Sequence, residues 1–137
     1  DRIDRQIAES SQPPFAIAVF DVNDLKKVND TAGHQAGDQC LRDSCAVICD
    51  IFKHSPVFRI GGDEFAVIVR NRDYEHLEAL IEEMRLHNAD AIRNGGNVIA
   101  CGMSRFEEDE NVAAVFARAD KNMYENKSAL KSGKFPV

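Results

Sequence analysis

The feature that most constrains the fold is a short apolar run, Phe15-Ala16-Ile17-Ala18-Val19-Phe20, which follows two prolines and ends abruptly at Asp21. A strand with one face in water alternates apolar and polar residues, whereas an uninterrupted apolar run suits a strand that is covered on both faces. We therefore expect a buried strand in the sheet, with Asp21 at its carboxyl end, where side chains emerge towards solvent.

The remaining apolar patterns predict helices and strands in the order β-α-α-β-β-α-β-α. Two apolar runs, separated by Gly61-Gly62-Asp63-Glu64, are typical of a hairpin. The other predicted elements are a short helix over 24–32 that stops at Gly33, a helix from Asp38 to the residue before Pro56, a helix over 74–93, a strand over 97–104 and a helix over 112–130. Together they indicate an α+β fold with a mostly antiparallel sheet flanked by helices.

The composition is that of a globular protein, and it narrows the partners that the chain can have. The chain has 137 residues and a formal net charge of −6. This length fits one domain over 1–137, and a net negative charge argues against a nucleic-acid partner. No apolar run approaches the roughly 20 residues of a membrane span. We therefore expect a domain that itself contacts neither nucleic acid nor membrane. The four cysteines show no pairing pattern and suit a reducing compartment, so we expect a cytoplasmic domain, of a protein that can as a whole be membrane-associated.

Carboxylates form the most informative group of polar residues. Asp21 ends the buried strand, and Asp63 and Glu64 lie at the tip of the hairpin. If the strand and the hairpin are neighbours, Asp21 and Asp63 converge, and close carboxylates repel unless a proton or a cation lies between them. Mg²⁺ is a natural occupant of such a site. The alternative is that Asp21 caps the next helix and that the other two are ordinary turn residues.

Three further groups have both a functional and a structural interpretation. Gly61-Gly62 allows a tight bend or the close approach of a ligand. Lys127 and Lys131, one helical turn apart, either bind phosphate or interact with the helix dipole. Asn29 and Asp38 together match the donors and acceptors on a guanine edge, or are simply a polar residue and a helix cap on either side of a 33–37 loop.

Four segments of the chain, in this order, resemble the motifs of one family. Residues 21–30 resemble its D-(I/V)-D-x-F-K-x-x-N-D segment, and residues 33–38 resemble its G-H-x-x-G-D segment. Residues 59–65, Arg-Ile-Gly-Gly-Asp-Glu-Phe, match its R-(Y/I)-G-G-(D/E)-E-F turn, and residues 119–127 resemble its A-D-x-x-x-Y-x-x-K helix. The chain thus resembles, over residues 15–131, the GGDEF family of diguanylate cyclases.

The resemblance implies a palm-like nucleotidyl cyclase fold that condenses two GTP molecules into cyclic di-GMP and releases two pyrophosphates. It implies that Asp21, Asp63 and the carbonyl of Val22 hold Mg²⁺ or Mn²⁺. It implies that Asp63 and Glu64 are catalytic, with Glu64 helping to hold the metal or receiving the proton of the attacking 3′-hydroxyl. The implied substrate-binding residues are Asn29 and Asp38 for guanine, Lys127, Lys131 and the backbone of Leu25 and Lys26 for phosphates, and Gly62 in the turn.

Because each such domain holds one GTP, the resemblance also implies a catalytic homodimer. The front of the family pattern is missing, so residues 1–12 are expected to be the rest of a helix trimmed from an upstream sensory or dimerising region. The chain has Phe52-Lys53-His54-Ser55 where many members carry an inhibitory R-x-x-D, and we expect no inhibitory site. Two alternatives remain: a non-catalytic GTP-binding regulatory domain, and a scaffold or cyclic di-GMP receptor.

Overall fold

The computed structural model describes residues 2–108 and 111–132. Its elements in chain order are α1 (Arg2–Ser10), β1 (Ala16–Val22), α2 (Leu25–Ala32), α3 (His34–Ile51), β2 (Val57–Arg59), β3 (Glu64–Val69), α4 (Asn71–Glu75), α5 (Leu77–Asn94), β4 (Ile99–Arg105) and α6 (Val112–Lys131). Among these helices, none is both long and apolar enough to cross a membrane. The helix expected from residues 1–12 is α1.

The four strands form one antiparallel sheet in the order β2-β3-β1-β4. The apolar run forms β1, which is paired on both sides: Phe20 lies opposite Phe65 of β3 and opposite Cys101 of β4. The hairpin is also as predicted, with Arg59 of β2 opposite Phe65. The prediction of a mostly antiparallel sheet flanked by helices is confirmed.

Each face of the sheet is covered by a different pair of helices, which explains why every residue of β1 is buried. Ala16, Ala18 and Phe20 pack with side chains of α3 and α5. Ile17 and Val19, on the opposite face, pack with side chains of α1 and α6. Since side chains alternate along a strand, Asp21 lies on the same face as Ile17 and Val19 and is directed towards α6.

Two predicted boundaries were wrong. Helix α3 begins at His34, directly after Gly33, so the segment expected as a loop over 33–37 is the first turn of that helix and Asp38 is not its N-cap. Gly33 has φ 92°, and this left-handed residue separates α2 from α3 without any loop. The helix expected over 74–93 is two helices, α4 and α5, which meet at His76.

Helix α6 lies unusually close to β4. A Cβ atom at Gly102 would lie 2.0 Å from the amide nitrogen of Met123 and 2.5 Å from the carbonyl oxygen of Ala119. Two amides of α6 also reach the edge of the strand: Cys101 N donates to Asn126 Oδ1 (2.9 Å), and Asn122 Nδ2 donates to Met103 O (2.9 Å). Close packing and these hydrogen bonds fix the position of α6 beside the carboxyl end of β1.

Candidate active site

The sheet brings the three predicted carboxylates together. Asp21 lies opposite Glu64 in the β1–β3 register, and Val22 N donates to Asp63 O (3.0 Å), which closes the hairpin tip against the end of β1. One carboxylate oxygen from each of Asp21, Asp63 and Glu64 lies within 4.8 Å of the other two. This convergence is a property of strand pairing, because Asp21 lies some 40 positions before the adjacent residues Asp63 and Glu64 in the chain.

The carboxylate cluster is electrostatically unfavourable as it stands. Burial raises the pKa of Asp21 above its ordinary value, and the charge of Asp63 raises it further. Burial also raises the pKa of Glu64, with further contributions from the charges of Asp120 and Asp21. Both shifts arise because desolvation and neighbouring negative charge disfavour ionisation. A divalent cation would remove this repulsion.

One oxygen of the cluster has no partner. Asp21 Oδ2 accepts a hydrogen bond from Lys127 Nζ at 3.2 Å, whereas Asp21 Oδ1 is buried and makes no hydrogen bond. Buried polar atoms in folded proteins are nearly always paired, so such an atom calls for a specific explanation. A donor set of carboxylate oxygens with one unpartnered oxygen fits a hard cation such as Mg²⁺. The residues present therefore suit the metal that the sequence predicts.

Lys127 reaches the cluster from α6. Its side chain is 23% exposed, and its ammonium lies 5.9 Å from the ring centroid of Tyr124. Burial by itself would lower the pKa of Lys127, but the hydrogen bond and charge of Asp21 outweigh burial, so the pKa is raised and the ammonium stays charged. Lys127 therefore provides positive charge at the carboxylate cluster as well as in the groove described next.

A groove runs from the carboxylates past the N-terminus of α2. This part of the groove has a volume of about 500 Å³, and Lys127 and Lys131 lie on its wall with Asp21, Val22, Leu25, Lys26 and Asp63. Asp24 precedes α2 in a left-handed conformation, and its side chain makes no capping hydrogen bond to the helix. The first amides of α2 are thus not capped by that carboxylate, an arrangement that suits an anion.

A second part of the groove, of about 420 Å³, continues from Asp63 to the pair formed by Asn29 and Asp38. Asn29 lies on α2 and Asp38 on α3, so the packing of these two helices brings the pair together. Gly62 also lines this part, together with Leu25 and Lys26. All of the predicted site residues except Glu64 therefore line one of the two connected parts, and Glu64 belongs to the carboxylate cluster at their junction.

The signature turn, residues 59–65, is stabilised by contacts that the sequence did not predict. Neither Gly61 nor Gly62 has a positive φ, and a Cβ atom at either position would meet no close contact. Their backbone conformation therefore does not require glycine, although open space remains for a ligand. Instead, Arg59 Nε donates to Gly61 O (3.2 Å) and Arg59 Nη2 donates to Gly62 O (2.6 Å). The signal in the sequence was an arginine two residues before the glycine pair, since its guanidinium can donate to carbonyls of the turn that follows it.

Asp120 is a second residue that sequence reasoning missed. Its charge, after burial, is the largest influence that raises the pKa of Glu64. It lies on α6, one residue after Ala119, which is buried against the sheet. Its place in the A-D-x-x-x-Y segment was visible in the sequence, but its proximity to Glu64 depends on where α6 crosses the sheet.

The segment expected to lack an inhibitory site is engaged within the fold. Phe52 is buried in the core, with its ring 5.6 Å from that of Phe20. His54 N and Ser55 Oγ donate to the carboxylate of Asp73 at 2.9 and 2.7 Å. Lys53 and His54 line a surface cleft of about 260 Å³ that also contains both acidic and basic residues.

The fold and the groove agree with comparisons to known proteins. A family model described as "Diguanylate cyclase, GGDEF domain" matches residues 1–132. Diguanylate cyclase DgcZ of Escherichia coli K12 is 31% identical over 133 residues, which cover 93% of this chain and 45% of DgcZ. Cyclic di-GMP phosphodiesterase PdeR of the same organism is 40% identical over 81 residues, 58% of this chain and 12% of PdeR.

Among solved structures, the GGDEF domain of DgcB from Caulobacter crescentus, in complex with c-di-GMP, superposes with a TM-score of 0.73 at 29% identity. The match covers 94% of this chain and 82% of that one. The chain spans less than half of the length of the two curated relatives. On the family match and on these similarities, the chain belongs to the GGDEF family of diguanylate cyclase domains.

Proposed function

We propose that the chain is a catalytic domain that condenses two GTP molecules into cyclic di-GMP and two pyrophosphates. One observation carries the proposal. One carboxylate oxygen from each of Asp21, Asp63 and Glu64 lies within 4.8 Å of the other two, and Asp21 also has a buried, unpartnered oxygen. This acidic cluster lies where a part of the groove with four lysines and four aspartates in its lining meets the part that contains Asn29 and Asp38. A cluster for a divalent ion placed between these two grooves suits a nucleoside triphosphate.

The guanine base occupies the part of the groove between α2 and α3. The Asp38 carboxylate accepts hydrogen bonds from the N1–H and 2-amino groups of guanine, and the Asn29 carboxamide contributes a donor or an acceptor. Adenine offers no donor at those two positions, so Asp38 favours GTP. The exposed position of Asp38 on the groove wall supports this assignment.

The triphosphate occupies the other part, against the first amides of α2 at Leu25 and Lys26. Lys127 and Lys131 supply positive charge from α6, on the opposite wall. The reaction requires positioning and charge cancellation more than covalent chemistry, and these groups supply both. Gly62 lies at the turn between the two parts and leaves room for the substrate.

Asp21 and Asp63, with the carbonyl of Val22, would hold Mg²⁺ or Mn²⁺. When bound, the ion neutralises phosphate charge and lowers the pKa of a hydroxyl that it contacts. Glu64 either completes the ligand set or accepts the proton of the 3′-hydroxyl. Burial and the charge of Asp120 raise the pKa of Glu64, and these two influences, neither of which comes from a proposed metal ligand, support the second role.

Chemistry requires a second copy of the domain, because one groove accommodates one GTP. The 3′-oxygen of one GTP forms a bond to the α-phosphorus of the other, the bond from that phosphorus to pyrophosphate breaks, and the hydroxyl proton is released. The same exchange in the opposite direction closes the ring. The active site is therefore formed at a two-fold contact between domains of a longer cytoplasmic protein, whose upstream region controls that contact.

The test is to fuse the domain to a parallel coiled coil, to add GTP and Mg²⁺, and to detect cyclic di-GMP by chromatography. The forced dimer should form product, and Asp63→Ala should reduce turnover by at least a hundredfold because it removes a metal ligand. Asp50→Asn, which removes a carboxylate at a distant cleft, serves as the matched control. Product formation by Asp63→Ala at the unmodified rate would refute the metal assignment.

A second candidate is a GTP-binding regulatory domain that controls a partner domain. The observation that favours it is the similarity to PdeR, which is named as a phosphodiesterase and of which the match covers only 12%. The two candidates give different outcomes in the same assay. A forced dimer that binds GTP but forms no product identifies the regulatory domain, whereas product formation identifies the cyclase.

A further inference from the structure

Gly37 lies directly against the side chain of Asn29. The glycine is buried in α3, at the point where α2 packs on it. A Cβ atom at Gly37 would lie 1.6 Å from Asn29 Oδ1 and 2.7 Å from Asn29 Cγ. Real Cβ atoms essentially never approach other heavy atoms to less than 3.0 Å. The Asn29 amide can therefore occupy its present position only because residue 37 has no side chain.

The backbone at Gly37 gives no other reason for glycine. In the described residues the glycines with positive φ are Gly33 and Gly95, whereas Gly37 lies within a regular helix. Glycine in a helix interior is unfavourable relative to alanine. Gly37 weakens its own helix, and the three heavy atoms nearest to the position of its missing Cβ all belong to the groove-lining Asn29. That neighbour best explains the glycine.

The nature of this contact also predicts what a substitution does. At Gly102 the obstacles are backbone atoms of α6, which cannot move without displacing the helix. At Gly37 the obstacle is the end of a flexible side chain, which can rotate away. An alanine at position 37 should therefore leave the fold intact and move the Asn29 amide, so that structural and functional effects can be separated.

We propose that Gly37 is a positioning residue for base recognition: by leaving space for the Asn29 side chain, it fixes the place of the Asn29 carboxamide on the groove wall. The three atoms of Asn29 nearest to position 37 are Oδ1, Cγ and Nδ2, and Asn29 lines the groove. A carboxamide fixed in one place can match the donors and acceptors on a guanine edge, which are reversed on an adenine edge. Gly37 thus controls the preference for guanine without touching the nucleotide. The inference rests on the proposed binding of GTP.

The experiment compares Gly37→Ala, Asn29→Ala and the double variant, with Gln35→Ala, an exposed position on the same turn, as the control. Binding of GTP and of ATP is measured by calorimetry for each. Gly37→Ala should weaken GTP binding roughly tenfold and leave ATP binding nearly unchanged, as expected for a misplaced hydrogen-bonding group. Because Gly37 acts through Asn29, the double variant should be no weaker than Asn29→Ala.

An unchanged ratio of GTP to ATP affinity in Gly37→Ala, or additive losses in the double variant, would overturn the inference. The melting temperature of Gly37→Ala should equal or exceed that of the wild type because alanine favours the helix. If it is lower, Asn29→Ala in the same chain should restore it, since the clash is with that side chain. Failure to restore it also contradicts the proposed contact.

A separate readout distinguishes failure of this inference from failure of the proposed function. The side-chain amide resonances of Asn29, identified by their loss in Asn29→Ala, should shift in Gly37→Ala even without nucleotide. If the wild type binds no GTP, the proposed function is wrong, and base recognition falls with it. If GTP binds normally but the Asn29 resonances do not move in Gly37→Ala, the positioning role alone is wrong.

Discussion

At the scale of single residues, the convergence of three carboxylates has a cost in stability. Asp21, Asp63 and Glu64 share one region, and Lys127 supplies a single positive charge to it. The pKa values of Asp21 and Glu64 are both raised, so the folded chain binds protons at these groups more tightly than the unfolded chain does. Ionisation of the two groups therefore opposes folding until a cation is bound.

This cost predicts how stability depends on pH. In the metal-free protein, the free energy of unfolding should fall as the pH rises through these two titrations. The fall should begin near the ordinary pKa values, 3.8 for Asp21 and 4.5 for Glu64, and continue through the raised pKa values of the folded state. Mg²⁺ binds the ionised form, so its stabilising effect should grow over the same interval. Urea unfolding at several pH values between 4 and 7, with and without Mg²⁺, measures the difference. An effect of Mg²⁺ that is constant over this range would contradict the prediction.

At the scale of elements, the signature hairpin depends on Arg59 for its shape. The guanidinium bonds two successive carbonyls, at Gly61 and Gly62, and so fixes the turn that carries Asp63. A turn of this kind can be disordered without unfolding the sheet, because the two bonds are exposed and each contributes little to stability. The effect of losing them should therefore be on catalysis.

We expect Arg59→Met to change the free energy of unfolding by less than about 1 kcal/mol, because the two hydrogen bonds that are lost are exposed and the aliphatic part of the side chain is kept. Turnover of the forced dimer should fall at least tenfold, because a displacement of about 1 Å at a catalytic group can reduce rates a hundredfold. Arg93→Met, in the last turn of α5, is the matched control. Equal turnover in the two variants would show that Arg59 does not organise the site.

Substitution of Gly102, in contrast, should destabilise the packing of α6 on the sheet. An alanine there would overlap backbone atoms of α6, with Met123 N at 2.0 Å, so that helix and strand must separate. Overpacking of this kind costs about 1–3 kcal/mol or more. Urea denaturation of Gly102→Ala should show a loss in that range, whereas Gly37→Ala should show none. A wild-type midpoint for Gly102→Ala would mean that α6 can move freely over the sheet.

The sequence predicted those elements whose signal lies in their own residues. The apolar run of β1 and the two strands of the hairpin were predicted in this way. The start of α3 was missed because Gly37, a poor helix former, lies in its first turn. Its close packing against Asn29 has no local signature in the sequence. Asn88 in α5 was missed for a similar reason. Its buried amide makes two hydrogen bonds with the backbone of Ile99, and no local sequence pattern indicates that partner in another element.

The site was predictable to a similar degree. The identities of Asp21, Asp63 and Glu64 follow from their positions at a strand end and a hairpin tip, and their convergence follows from strand pairing. The influence of Asp120 on Glu64 and the contact of Lys127 with Asp21 depend on the crossing of α6 over the sheet. No local pattern fixes that crossing, because it is set by packing at Gly102.

At the scale of the whole molecule, the segment 52–55 lies apart from the groove, so binding of cyclic di-GMP to it can be tested separately. His54 and Ser55 are hydrogen-bonded to Asp73, and Phe52 is buried in the core. This segment contains no arginine–aspartate pair that could bind a ligand. Titration of cyclic di-GMP into the isolated domain should show no submicromolar binding there. The matched control is Lys53→Ala, which should leave the titration unchanged. A tight site that is lost in Lys53→Ala would refute the prediction.

The ion pair between Lys127 and Asp21 has a consequence for how the domain is loaded. The ammonium of Lys127 lies 3.2 Å from a carboxylate oxygen of Asp21, where it acts as a counter-ion for the carboxylate cluster. If the proposed function holds, a divalent ion bound to Asp21 would compete for that carboxylate, and Lys127 would then be available to the phosphates of the nucleotide. We therefore expect metal and nucleotide to bind cooperatively, with Lys127 passing from the carboxylate to the phosphates.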